Sequence, residues 1–216
     1  PHISDAGIEA IQNGHTRYTQ SAGMPALRKA IAVDASQRRG WEIHSNQVVI
    51  GPGAKPFLFF PTLALVHPGD EVIYPDPGFP TYPAMIEVAG GTPVPVPLRE
   101  DQDFSFDLDA FDRLVTERTR LVVLNSPSNP TGGVMPLHAL QHIAAAAQRF
   151  NFWVLSDEIY SRLVYETPAP SIANLPGMSE RTVICDGFSK TYAMTGWRLG
   201  YGIMPPALAD RGELLL

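Results

Sequence analysis

Seven short apolar runs punctuate the chain, at residues 48–50, 72–74, 93–96, 121–124, 152–155, 183–185 and 199–204. Most are continuous rather than alternating, the pattern of strands covered on both faces. Between several of them the apolar spacing switches to that of a helix. Residues 25–38 open on Pro25, which suits a first helical turn, and Gly40 supplies the stop. Residues 137–149 set Leu140, Ile143, Ala144 and Ala147 on one face. Residues 55–66 carry Phe57, Leu58 and Leu65 around an internal Pro61, and residues 107–115 begin at Asp107 as an N-cap. Strands alternating with helices predict an α/β domain on a mostly parallel sheet.

Proline and glycine gather at 51–56, 74–83 and 125–133, each cluster following an apolar run. Ligands of such sheets bind beyond the carboxyl ends of the strands, so these loops are expected to converge on one crevice. Residues 183–185 lead in the same way into Phe188-Ser189-Lys190, with Arg198 eight residues after the lysine.

Composition narrows the class. A net charge of −6 disfavours non-specific nucleic-acid binding, which needs a basic face, but leaves room for a locally positive pocket. No run of eighteen apolar residues predicts a membrane span. The single cysteine, Cys185, forms no internal disulfide, and with no secretory leader visible a cytoplasmic location is expected. The chain opens at Pro1 and stops at Leu216 within a helical pattern that starts near Pro206, so a truncated chain is expected.

The candidate chemistry centres on Lys190. A lysine leaving a buried strand can be desolvated and form a Schiff base, and a nearby arginine can clamp a phosphate. Those needs describe pyridoxal phosphate, an aldehyde that carries a phosphate. Asp157 follows the run at 152–155, where a carboxylate is costly without a positive partner such as a protonated pyridine nitrogen. It also fits a helix N-cap. Tyr160 shares a face with Asp157 if the segment turns helically, either to reach the same ring or to pack. Asn129 lies in the proline-stiffened Asn125-Ser126-Pro127-Ser128-Asn129-Pro130 loop, placed to meet a phenolic oxygen or to bond its own turn. Gly53, Ala54 and Lys55 open a helix whose backbone N–H groups suit an anion. Phe79 offers a stacking ring or a loop anchor. His138 and His142 share a helix face at metal-ligand spacing, but no third ligand supports a metal site.

These motifs together resemble the class I/II aminotransferases of fold type I that depend on pyridoxal phosphate, of the aspartate aminotransferase-like kind. The resemblance runs through residues 18–31, the Gly53-Ala54-Lys55 turn, residues 125–132, 156–160 and 189–198. It implies a large domain with a seven-stranded, mainly parallel sheet and helices on both faces, spanning residues 1–205 without its extreme N-terminal segment. Residues 206–216 would then lead toward a small C-terminal domain, which holds the arginine for the substrate carboxylate. It implies Lys190 as the Schiff-base lysine, Asp157 as partner of the ring nitrogen, and Tyr160 and Asn129 as donors to the ring hydroxyl. Arg198, Gly53, Ala54 and Lys55 would meet the phosphate, and Phe79 would stack on the ring. Many relatives carry a serine three residues before the lysine; Gly187 stands there, and Ser189 is the candidate substitute. Tyr18 matches a tyrosine that reaches a neighbouring subunit's site, implying a homodimer. The implied reaction moves an amino group between an amino acid and a 2-oxo acid. The same ring-holding residues also serve lyase or decarboxylase steps and cofactor-sensing regulatory domains.

Overall fold

The computed structural model describes residues 1–165 and 168–213. Strands and helices alternate along them. The strands are β1 (Val48–Gly51), β2 (Glu71–Asp76), β3 (Thr92–Arg99), β4 (Ser105–Phe106), β5 (Thr119–Asn125), β6 (Trp153–Asp157), β7 (Thr182–Gly187) and β8 (Gly200–Ile203). The helices are α1 (His2–Gln12), α2 (Pro25–Arg39), α3 (Pro56–Leu65), α4 (Thr81–Val88), α5 (Leu108–Leu114), α6 (Leu137–Phe150) and α7 (Pro206–Glu213). The rest of the expected 206–216 segment, residues 214–216, lies outside the described residues.

One sheet runs in the order β1-β8-β7-β6-β5-β2-β3-β4. The five central strands, β7 to β3, are parallel, and β8 and β4 run against their neighbours. The sheet thus has eight strands rather than seven. The seven apolar runs all form strands. The eighth, β4, is two residues long and pairs through Leu98 with Phe106 and Arg99 with Ser105, too short to leave a pattern in sequence. A second departure is α4. Residues 74–83 read as one loop, yet β2 continues to Asp76 and α4 begins at Thr81.

Alternation within the central strands explains why their apolar runs are continuous. Leu121 and Val123 of β5 join Phe57 and Leu58 of α3 and Met85 and Ile86 of α4 in one core. Val122 and Leu124 face the opposite way, against Leu140 and Ile143 of α6 and Phe111 of α5. A third cluster packs Ile31, Ala32 and Ala35 of α2 on Ile184 and Ile203. Helices therefore cover both faces. Asp107 caps α5, its carboxylate accepting from Ala110 N at 2.9 Å. Gly40 ends α2 in the left-handed region at φ 75°, where a side chain would be strained.

The topology gathers the loops. The strand order reverses between β5 and β2, and a crevice at such a switch point is the usual ligand site of a parallel sheet. The antiparallel β8 enters the sheet where β7 leaves it, with Gly200 opposite both Gly187 and Gly51. Residues just before β8 therefore meet those just after β1 and β7.

Candidate active site

At this end of the sheet lies a cavity of about 280 Å³. Its lining comes from five loops: Ala54 and Lys55 after β1, Phe79 and Tyr82 after β2, Asn125 and Asn129 after β5, Asp157, Ile159 and Tyr160 after β6, and Ser189, Lys190, Thr195 and Arg198 between β7 and β8. A larger cavity of about 930 Å³ adjoins it and shares Asn129 and Tyr160.

Asp157 is the last residue of β6 and is buried. Its Oδ2 accepts from the Tyr82 hydroxyl at 2.9 Å and its Oδ1 from Ile159 N at 3.3 Å. Both donors are neutral. Burial pushes the carboxyl up to about 6, against the two hydrogen bonds, and the nearby Asp186 and Glu158 push the same way as burial. The segment after Asp157 turns without forming a helix, so the carboxylate is no helix cap.

Asn125 organises the next loop. Its Oδ1 accepts from Asn129 N at 2.7 Å, and its Nδ2 donates to the Asp157 carbonyl at 3.0 Å. Asn125, rather than Asn129, thus satisfies the turn. The Asn129 side chain takes part in none of the hydrogen bonds among the described residues and lines both cavities.

Arg198 sits at φ 53°, a left-handed conformation that costs a branched side chain about 1 kcal/mol. Its Nη1 donates to Thr195 O at 2.9 Å, and its Nη2 makes a long 3.4 Å contact with Pro52 O. A Cβ built on Gly53 would fall 2.3 Å from Nη2, and one on Gly200 would fall 2.3 Å from the Gly53 carbonyl carbon. Only glycine leaves that cradle open at 53. Lys190 is exposed at the cavity, its Nζ 5.8 Å from the Tyr160 ring centre. The described residues alone do not desolvate it. Phe79 meets Tyr82 edge-on at 5.8 Å, with Lys55 Nζ 5.3 Å from its ring centre.

The family model for aminotransferase class I and II matches residues 1–214. The chain belongs to the class I and II aminotransferase family. It is 42% identical to the putative aminotransferase YugH of Bacillus subtilis over 97% of this chain and 54% of that protein. It is 45% identical to the bifunctional aspartate aminotransferase and glutamate/aspartate-prephenate aminotransferase of Petunia hybrida, over 92% of this chain and 42% of that one. Among solved structures, an aspartate aminotransferase double mutant of Thermus thermophilus superposes with a TM-score of 0.95 at 35% identity, over 99% of this chain and 56% of that one. The aromatic aminotransferase of Pyrococcus horikoshii gives 0.96 at 37%, over 99% and 58%. The chain thus spans about half the length of these relatives.

Against this aminotransferase frame, the cavity gathers every site residue expected from the sequence except Gly53 and Tyr18. Gly53 abuts Arg198 from behind. Tyr18 is fully exposed and away from the cavity. Of the two helical histidines, His142 pairs with Asp112 at 2.7 Å, and His138 is exposed. Tyr82 and Asn125 are the residues sequence reasoning passed over. No helix among the described residues is long and apolar enough to cross a membrane.

Proposed function

We propose that the cavity binds pyridoxal 5′-phosphate and that the intact protein uses it to move an amino group between an L-amino acid and a 2-oxo acid. One observation carries this reading: Asp157 is a buried carboxylate with neutral donors only, sharing its cavity with the amine of Lys190 and the guanidinium of Arg198. A pyridinium nitrogen is the cation that such an acid lacks. The Gly53 cradle and the free donors of Arg198 fit the phosphate.

When bound, the cofactor supplies an aromatic ring that withdraws electrons from the substrate carbon. The chain supplies the rest. Lys190 Nζ holds the aldehyde carbon and, once displaced by the substrate amine, carries the proton off Cα. Asp157 keeps the ring nitrogen protonated. Asn129 and Tyr160 donate to the ring hydroxyl oxygen, and Phe79 stacks on the ring. Arg198, Ser189 and the backbone of Gly53, Ala54 and Lys55 hold the phosphate. Residues 1–205 act as the cofactor-binding domain, and the substrate-carboxylate arginine comes from elsewhere in the intact protein. The exposed Tyr18 suits a homodimer in which it enters the partner's site. A cytoplasmic location completes the reading.

The test is chemical trapping. Borohydride treatment of the cofactor-loaded intact protein, followed by peptide mass analysis, should place a pyridoxyl group on Lys190. A label on a different lysine, or an unchanged label in Lys190→Ala, would overturn the assignment.

A further inference from the structure

Behind Asp157, on the side away from Tyr82, a second polar cluster is buried. Glu158 Oε2 accepts from Arg39 Nη2 at 2.7 Å, with the two side chains 6% and 4% exposed. Glu158 Oε1 accepts from the hydroxyls of Ser156 at 2.9 Å and Ser171 at 2.6 Å. Ser171 Oγ in turn accepts from Arg39 Nη1 at 2.9 Å. Four side chains from three parts of the chain thus close a ring of hydrogen bonds. Arg39 ends α2, Ser156 and Glu158 flank Asp157 on β6, and Ser171 opens the 3-10 turn Ile172–Asn174.

None of these groups lines the cavity that holds Asp157. A buried ion pair contributes little net stability compared with a well-packed apolar pair, because desolvation offsets the attraction. What it supplies is geometry, since a bidentate guanidinium fixes its partner in distance and direction. The peptide it fixes is the one that carries the acid. Glu158 N donates to Cys185 O at 2.8 Å, Asn125 Nδ2 donates to the Asp157 carbonyl, and Tyr160 is two residues on. Arg38, the neighbour of Arg39, lies 3.8 Å from Asp186 near the end of β7, on the strand that leads to Lys190.

We infer that Arg39, acting through Glu158 and Ser171, is a positioning residue that sets the orientation of Asp157 and Tyr160 toward the cofactor. The inference rests on the proposed pyridoxal phosphate site. Asp157 is then held from two faces: Tyr82 orients its carboxylate, and Arg39 anchors the turn behind it.

The test uses the intact protein and the paired substitution Arg39→Met with Glu158→Gln, which removes both charges together. Its thermal midpoint is expected to stay close to that of the natural protein. Its dissociation constant for pyridoxal phosphate, read by absorbance titration, should rise about tenfold or more, the scale seen when groups that orient a metal ligand are removed. The amides of residues 157–160 should exchange faster in the cofactor-free form. Natural affinity and natural exchange in a variant of natural stability would overturn the inference. If the double variant does not fold, Ser171→Ala keeps both charges and removes the shared hydroxyl. A smaller rise in the dissociation constant with little change in midpoint then supports positioning, and an unchanged constant overturns it. If the natural protein fails to bind pyridoxal phosphate, the functional reading falls, while the exchange of residues 157–160 still tests the brace.

Discussion

Asp157 and Glu158 are consecutive, both buried, and electrostatically opposite. Glu158 has a guanidinium and two hydroxyls; burial raises its carboxyl, but Arg39 and the hydrogen bonds outweigh it and hold the group below the usual range. Asp157 has a phenol and an amide, and burial wins, lifting it to about 6. The same cost of removing a charge from water is met on one side by the protein and left unmet on the other. A fold that could pair one buried acid and leaves its neighbour without a cation has placed an acid where a cationic ligand belongs.

The comparison breaks most sharply at Arg39. Arg39→Met alone strands Glu158 as a buried, unpaired charge. Such half-removals cost about 3–5 kcal/mol, so a large fall in the urea midpoint is expected, with partial recovery when Glu158→Gln is added. A cost below about 1 kcal/mol would mean that Glu158 already finds a cation or water elsewhere.

Asp157 should answer in the opposite direction. Its carboxyl sits at about 6 when folded and 3.8 as the model value, so between those values the folded state binds more protons. Stability of the cofactor-free protein therefore falls as pH rises through that window, by about 3 kcal/mol from this group. Asp186, also raised by burial, adds a slope of the same sign, and Glu158 one of the opposite sign. The difference between the natural protein and Asp157→Asn isolates the Asp157 share. Denaturation at pH 4, 5, 6 and 7 should show the variant more stable than the natural protein at pH 7 and close to it at pH 4. The variant should also lose most amino transfer. A variant that is destabilised at pH 7 would show Asp157 to be already well paired.

Much of this contrast was hidden in the sequence, for a definable reason. The seven principal strands are legible because continuous apolar runs report burial on both faces, and the loops that follow them carry Lys190, Asp157 and Asn129. What sets the electrostatics comes from far away. Tyr82 lies 75 residues before Asp157, and Arg39 119 before Glu158. Tyr82 is masked further because α4 starts inside a proline-rich stretch that reads as a loop. Arg39 did leave a trace. Ile31, Ala32 and Ala35 mark the buried face of α2, and Arg39 follows Ala35 at the helical spacing of four, an arginine on a core face. A charge in that place calls for a buried partner.

Tyr82→Phe sharpens the comparison with a smaller change. It removes the shorter of the two hydrogen bonds to Asp157 and keeps the ring volume. A hydrogen bond to a charged group is worth about 1.5–3 kcal/mol, so in the cofactor-free protein the ionised form of Asp157 weakens by that amount and its carboxyl rises further. The affinity for pyridoxal phosphate should fall, because the acid is less often ionised at neutral pH. Cofactor titration at pH 6 and 8 reads this directly, with the larger loss at pH 6. An equal loss at both would place the effect of Tyr82 on packing rather than on the acid.

The mildest probe lies on the other side of the strand. Ser156→Ala deletes one of three donors to Glu158 and leaves Arg39 and Ser171 in place. Because the charge keeps its cation, the expected cost is at the lower end for a hydrogen bond, about 0.5–1.5 kcal/mol, with no pH dependence above pH 5. Glu158 is held ionised by Arg39, so losing a hydroxyl does not bring its titration into that range. If Ser156→Ala instead produced a pH slope near neutrality, the Arg39 pair would not be what holds Glu158 ionised, and the opposition between the two acids would reduce to a difference in the number of donors around each.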